Sequence, residues 1–117
     1  LSSLRIPGYP NSIQVVGGRA YIASGNVGLV AVDVSDPAAP VVLGMLNTPG
    51  NANDASVVGN LAYIADGSAG MRIVDVSDPA RMTLVGSIDT PGEASAVAVS
   101  AGRAYVAVRE RAVAGRP

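Results

Sequence analysis

Val32-Asp33-Val34-Ser35-Asp36-Pro37-Ala38 is written a second time as Val74-Asp75-Val76-Ser77-Asp78-Pro79-Ala80, 42 residues further on. Working outward, Ala20-Tyr21-Ile22-Ala23 returns as Ala62-Tyr63-Ile64-Ala65, and Val15-Val16-Gly17 as Val57-Val58-Gly59. Residues 7–48 and 49–90 align without a gap, with 21 of 42 positions identical. A third copy opens with Thr90-Pro91-Gly92 and keeps Val99 and Ala104-Tyr105-Val106-Ala107. It then departs, placing Val108-Arg109 where the second copy has Asp66-Gly67. A fixed period of this length marks a repeat architecture, in which neighbouring units bury each other's apolar faces.

Within one unit the apolar runs are too short for helices. Ile13–Val16, Arg19–Ala23, Leu29–Val34 and Val41–Leu46 are separated by Gly17-Gly18, Gly25, Ser35-Asp36-Pro37 and Thr48-Pro49-Gly50. Runs of roughly four to eight Val- and Ile-rich residues between turn signals read as strands. Gly17-Gly18 is a tight hairpin signal, not a phosphate loop. Residues 94–114 are Ala-rich and free of Pro, which on propensity alone suits a helix. The repeat alignment instead assigns strands to 95–99 and 103–108.

Composition limits the chemistry. The 117-residue chain fits one ordinary domain; it is 49% hydrophobic, with four Tyr and neither Phe nor Trp, so Val, Ile, Leu and Ala must build its core. Net charge is −1, with no basic stretch, which argues against nucleic-acid partners and anionic membrane surfaces. No apolar run approaches the ~18 residues of a spanning helix. Absence of Cys and His removes thiol chemistry, the commonest general base and the commonest metal ligand. The chain starts at Leu1 without Met, as a processed product or a piece of something longer would.

A unit of about 40–45 residues with four short strands is the signature of a propeller blade. Val-Asp-Val-Ser-Asp-Pro, preceded by Gly-Leu-Val-Ala or Gly-Met-Arg-Ile and by Ala-Tyr-Ile-Ala, resembles the LVIVD repeat family of β-propellers over residues 1 to about 108. The resemblance implies a propeller, commonly from bacterial or archaeal surface or secreted proteins, and no shared enzymatic activity. The expected architecture is all-β: blades of four antiparallel strands in a single repeat domain, with fewer than three blades per chain. Residues 1–6 are expected to be the outermost strand of a shared blade, 7–48 repeat 1, 49–90 repeat 2 and 91–117 a partial repeat 3.

An open stack of blades leaves apolar faces and strand edges bare, and propellers avoid this by closing rings of about four to eight blades. The incoming end strand and the unfinished third blade are complementary. The expectation is a homo-oligomer, with a dimer of six blades favoured over three chains and nine blades. The alternative is a fragment of a longer or engineered propeller with no activity of its own.

Three groups of residues invite a functional reading. Asp33 and Asp36 with Pro37, and Asp75 and Asp78 with Pro79, could offer carboxylates to a hard cation. Ser-Asp-Pro is also turn chemistry, with Asp accepting from a backbone N–H two residues on and Pro fixing φ, and this is the preferred reading. Asn11, Asn53 and Asp54 enter the innermost strands near the channel mouth, where they could hold a polar ligand or simply shape the turn. Tyr21, Tyr63 and Tyr105 could stack on a sugar, but at repeat spacing inside apolar strands they suit packing between blades. Asp89 and Glu93 have no spacing that recommends a hydrolytic carboxylate pair. No catalytic, metal or cofactor site is expected. The function expected is a non-catalytic module for protein or glycan interaction, set against a channel-centred ligand or metal site formed only in the oligomer.

Overall fold

The computed structural model describes residues 4–109. It is built from ten strands in three antiparallel sheets. The first sheet runs β1 (Ser12–Val16), β2 (Arg19–Ser24), β3 (Gly28–Asp33) and β4 (Val41–Leu46) in spatial order. The second repeats it with β5 (Asp54–Val58), β6 (Leu61–Ala65), β7 (Met71–Asp75) and β8 (Thr83–Ile88). The third pairs β9 (Glu93–Ser100) with β10 (Arg103–Arg109). Each sheet is one blade. The helix that composition suggested near 94–114 does not form over its described part: periodicity of the repeat overrides local propensity there.

A two-residue loop joins the first two strands of every blade, closing Val16 to Arg19, Val58 to Leu61 and Ser100 to Arg103. The first loop residue is left-handed each time, at Gly17 (φ 60°), Gly59 (φ 59°) and Ala101 (φ 51°). A Cβ in that region costs roughly 1 kcal/mol or more. Ala101→Gly is therefore expected to raise stability by about 0.5–1 kcal/mol, despite the usual loss on introducing glycine. Thermal unfolding of the variant checks it; an unchanged or lower midpoint would refute the strain.

Alternation along the strands gives each blade two faces. Blade 1 turns Tyr21, Ala23, Leu29 and Ala31 toward blade 2, where Ala55, Val57, Ala62, Ile64 and Val74 meet them in one buried cluster. Blade 2 offers the equivalent Tyr63, Ala65, Met71 and Ile73 to Ala94, Val97, Ala104 and Val106 of blade 3. Alanine at so many facing positions lets the sheets approach closely, so a core without Phe or Trp still closes. The other face of blade 1 holds Ala20, Ile22, Val30 and Val32, with Ile6 packed against them.

The outer strands are joined differently. After β7, Asp78 caps a single 3₁₀ turn, Pro79–Arg81, and this turn lies on β4 of blade 1. Pro79 is buried there, whereas its repeat mate Pro37 is exposed.

Leu4–Ile6 form no strand. Of the expected outermost strand 1–6, residues 1–3 lie outside the described residues, as does 110–117 of the third repeat. A strand needs a neighbour to hydrogen-bond, and Leu4–Ile6 have none among the described residues. Ile6 instead lies on blade 1's own apolar cluster.

Candidate functional site

The residues singled out at the inner rim are directed at the next blade. Asn11 Nδ2 donates to the Ala52 carbonyl at 2.9 Å, and Asn53 Nδ2 donates to the Ala94 carbonyl at 2.9 Å. The same carbonyls accept the N–H groups of Gly25 and Gly67, while Ala52 and Ala94 donate back to the carbonyls of those glycines. Both glycines sit at positive φ, 53° and 60°, which turns the chain toward its neighbour. Each Asn therefore acts as one half of a latch whose other half is a short backbone bridge.

Along the inner strands a second fastener differs between the two joins. Gln14 spans blades 1 and 2, its Nε2 donating to the Val57 carbonyl at 3.1 Å and its Oε1 accepting from the Val57 N–H at 2.8 Å. The amide thus pairs with the edge of β5 as a strand residue does. Between blades 2 and 3 the carboxylate of Asp54 takes over, Oδ2 accepting from the Val97 N–H at 3.0 Å and Oδ1 from the Ala55 N–H at 2.9 Å. Asn11, Asn53 and Asp54 all hold adjoining blades, and of the three Asn11 and Asn53 also line one polar cavity of about 380 Å³. Asn51, Ser68, Glu93 and Arg109 are among its other lining residues. Its groups largely meet one another: Asn51 Nδ2 donates to Asn53 Oδ1 at 2.7 Å, and the Arg109 guanidinium reaches Glu93 at 3.1 Å.

The repeated aspartates close turns. Asp33 Oδ1 accepts from both the N–H and the hydroxyl of Ser35, and Asp75 Oδ1 accepts from the Ser77 N–H. Asp36 and Asp78 accept from the N–H groups of Ala38 and Ala80. The Ser35 hydroxyl, followed by its N–H, holds the Asp33 carboxyl below the usual value; the Ser77 N–H leads the same effect at Asp75. Both groups stabilise the folded chain above the ordinary carboxylate range, and that contribution fades as pH falls through their folded values. Among the described residues, no cluster of three or more His, Cys, Asp or Glu is gathered for a metal. Glu93, one member of the imagined hydrolytic pair, is engaged by Arg109.

Sequence reasoning missed Gln14, and it missed Asp66. The latter is fully buried, with Oδ1 accepting from Thr48 Oγ1 at 2.7 Å and Oδ2 from the Gly50 N–H at 3.0 Å. Arg72 Nε stands 3.9 Å from Oδ2. Burial pushes the carboxyl up, against the Thr48 and Gly50 hydrogen bonds and the Arg72 charge. Its counterpart in blade 1 is Ser24, whose hydroxyl donates to the Pro7 carbonyl, and in blade 3 it is Val108. The site therefore pins the Thr-Pro-Gly segment, which leads from one blade into the next, onto the blade it enters. A charged residue replacing Ser between Ala-Tyr-Ile-Ala and Gly was the available signal.

The three tyrosines separate the interior from the end. Tyr21 is 4% exposed between blades 1 and 2, and Tyr105 is 58% exposed on the outer side of blade 3. At the opposite end the same contrast holds: Ala55 and Val57 are 8% and 5% exposed, while their blade 1 counterparts Ile13 and Val15 are 64% and 60% exposed. Among the described residues, Ile13 and Val15 of blade 1 and Tyr105 of blade 3 thus stay exposed where their repeat counterparts are buried in the internal joins, while Ala20, Ile22, Val30 and Val32 on the same side of blade 1 are buried, with Ile6 against them.

A family model described as LVIVD repeat matches residues 7–48, 49–90 and 91–112. A comparison with curated proteins gave no match.

Proposed function

The chain belongs to the LVIVD repeat family, and from that premise we propose that it is a non-catalytic interaction module whose partner is a second copy of itself. The blade 3 face carrying Tyr105 seats on the blade 1 face carrying Ile13 and Val15 of the other copy. Two such junctions close a two-chain ring. The carrying observation is the repeat equivalence of these exposed residues: Tyr105 corresponds to Tyr21 and Val15 to Val57, which are buried together between blades 1 and 2. A contact between unlike faces generates a ring when its rotation closes, and a ring removes the exposed ends that an open stack keeps. The non-catalytic reading is supported by Asn11, Asn53, Asp54 and the turn aspartates all being engaged with backbone groups.

Solution mass by size-exclusion chromatography with light scattering, over a wide concentration range, tests the ring. A species of two chains is expected. Tyr105→Ala and Val15→Asp, on opposite faces, should each weaken association at least tenfold, because a central aromatic anchor and an unpaired buried charge both act at the junction. A monomer at every concentration overturns the proposal, as does a dimer indifferent to both substitutions.

A further inference from the structure

The two joins inside the chain are fastened by polar contacts as well as apolar packing, and the residues that make those contacts are missing at the ends. Where Asn11 and Asn53 reach the next blade, blade 3 has Ser95, whose hydroxyl donates to Ala107 of its own hairpin. Where Gly25 and Gly67 turn outward, blade 3 has Arg109, held in β10 opposite Glu93. At the position of Gln14 stands Ala98, and at that of Asp54 stands Ala96. The receiving side is altered too. Ala52 and Ala94 donate a backbone N–H to the glycine bridge, but their counterpart on blade 1 is Pro10, which has none.

We infer that the junction between chains is held by apolar packing alone, without the latch, bridge or inner-strand clamp of the internal joins. The ring therefore opens and closes at this seam while each chain's own blades stay together. This rests on the self-assembly reading above and adds which residues set the strength of its contact. Ala98 and Ala96 are the determining positions, because both are exposed on β9 and both stand where a clamp stands in an earlier blade. The Val15 N–H and C=O and the Ile13 N–H lie at the places where Val57 and Val97 receive the internal clamps.

The experiment installs the absent clamp. Ala98→Gln supplies the donor and acceptor of Gln14, aimed at Val15 of the partner copy. Two neutral hydrogen bonds of the usual net strength together correspond to about a tenfold tighter dissociation constant. Ala96→Asp supplies the single acceptor of Asp54 and should tighten association by a smaller factor. Ala98→Glu keeps the size and the acceptor but sets its second carboxylate oxygen against the Val15 carbonyl where Gln has a donor, and this repulsion is expected to cancel the gain. Dissociation constants come from dilution series followed by sedimentation or light scattering. The unfolding midpoint of each variant at a concentration where the wild type is monomeric confirms an unchanged fold. A wild-type dimer that dissociates in dilution and is tightened by glutamine but not glutamate bears out the inference. A wild-type dimer that fails to dissociate down to nanomolar concentration overturns it while leaving the ring standing, as does a reversible dimer indifferent to Ala98→Gln. Monomers for wild type and all variants at every concentration remove the ring and the seam together.

Discussion

Replacing Asp66 with alanine is expected to cost about 3 kcal/mol of folding stability, a large part of what a domain of this size possesses. The loss has three named sources. The Thr48 hydroxyl, in a buried residue, and the Gly50 N–H, in a half-buried one, now donate to the carboxylate and would lose that partner. Each orphaned buried group costs about 1–3 kcal/mol. Arg72 would also lose the charge 3.9 Å from its Nε, though its side chain is 19% exposed and part of that charge reaches water. Ser24→Ala, the same substitution one blade earlier, removes a single hydroxyl donor to Pro7 and should cost only about 1 kcal/mol. Denaturant midpoints at neutral pH measure both; a loss below about 1 kcal/mol at Asp66 would mean that water takes the carboxylate's place.

The same residue gives stability a pH slope. Because the folded protein holds the Asp66 proton more tightly than the unfolded chain does, the penalty of ionising it is absent below the ordinary value of 3.8 and complete above the raised one. Its contribution therefore falls as pH rises through that window, opposite in sign to those of Asp33 and Asp75. Asp66→Asn retains the shape and loses the titration. The stability of this variant relative to wild type should climb with pH across the window. A flat difference would show that the buried carboxyl does not titrate differently on folding.

What the repeat made visible, and what it hid, have the same cause. Strands β1 to β8 were legible because each apolar run and each turn occurs twice at one spacing, so chance patterns cancel. The Asp33 and Asp75 turns were legible because their hydrogen bonds reach only two residues along the chain. The clamps were not: Gln14 meets Val57 and Asp54 meets Val97 at a separation of 43, one repeat plus one residue. Pairing of that kind depends on how far one blade is rotated on the next, which no local pattern records. Asp66 escaped for the opposite reason. Attention to identical positions favours the shared frame, and the groups that individualise a blade lie at the positions that differ.

Gly44→Ala is the second substitution with a large expected effect, and Gly86→Ala is its internal control. Both glycines occupy the same place in an outer strand, next to a register shift in the ladder with the preceding strand. A Cβ on Gly44 would lie 2.1 Å from the Pro79 carbonyl oxygen, with Ala80 Cα at 3.2 Å. Those are backbone atoms of the 3₁₀ turn that blade 2 lays across blade 1, so nothing at the contact can rotate away. Either β4 or the turn must move, and overpacking of this kind costs about 1–3 kcal/mol. The displaced turn also carries Pro79 out of its buried seat, which places the expected loss near the top of that range. On Gly86 the nearest atoms are all of the Ile73 side chain, the closest being Cδ1 at 3.3 Å. That methyl can yield, and alanine removes the backbone entropy that glycine forfeits in a strand, about 0.5–1 kcal/mol. Gly86→Ala should therefore leave stability unchanged or slightly raised, while Gly44→Ala lowers it steeply. Urea or guanidinium unfolding of the two variants side by side decides the matter: equal losses would mean that both glycines serve only their own strands, and that the turn of blade 2 does not bear on blade 1.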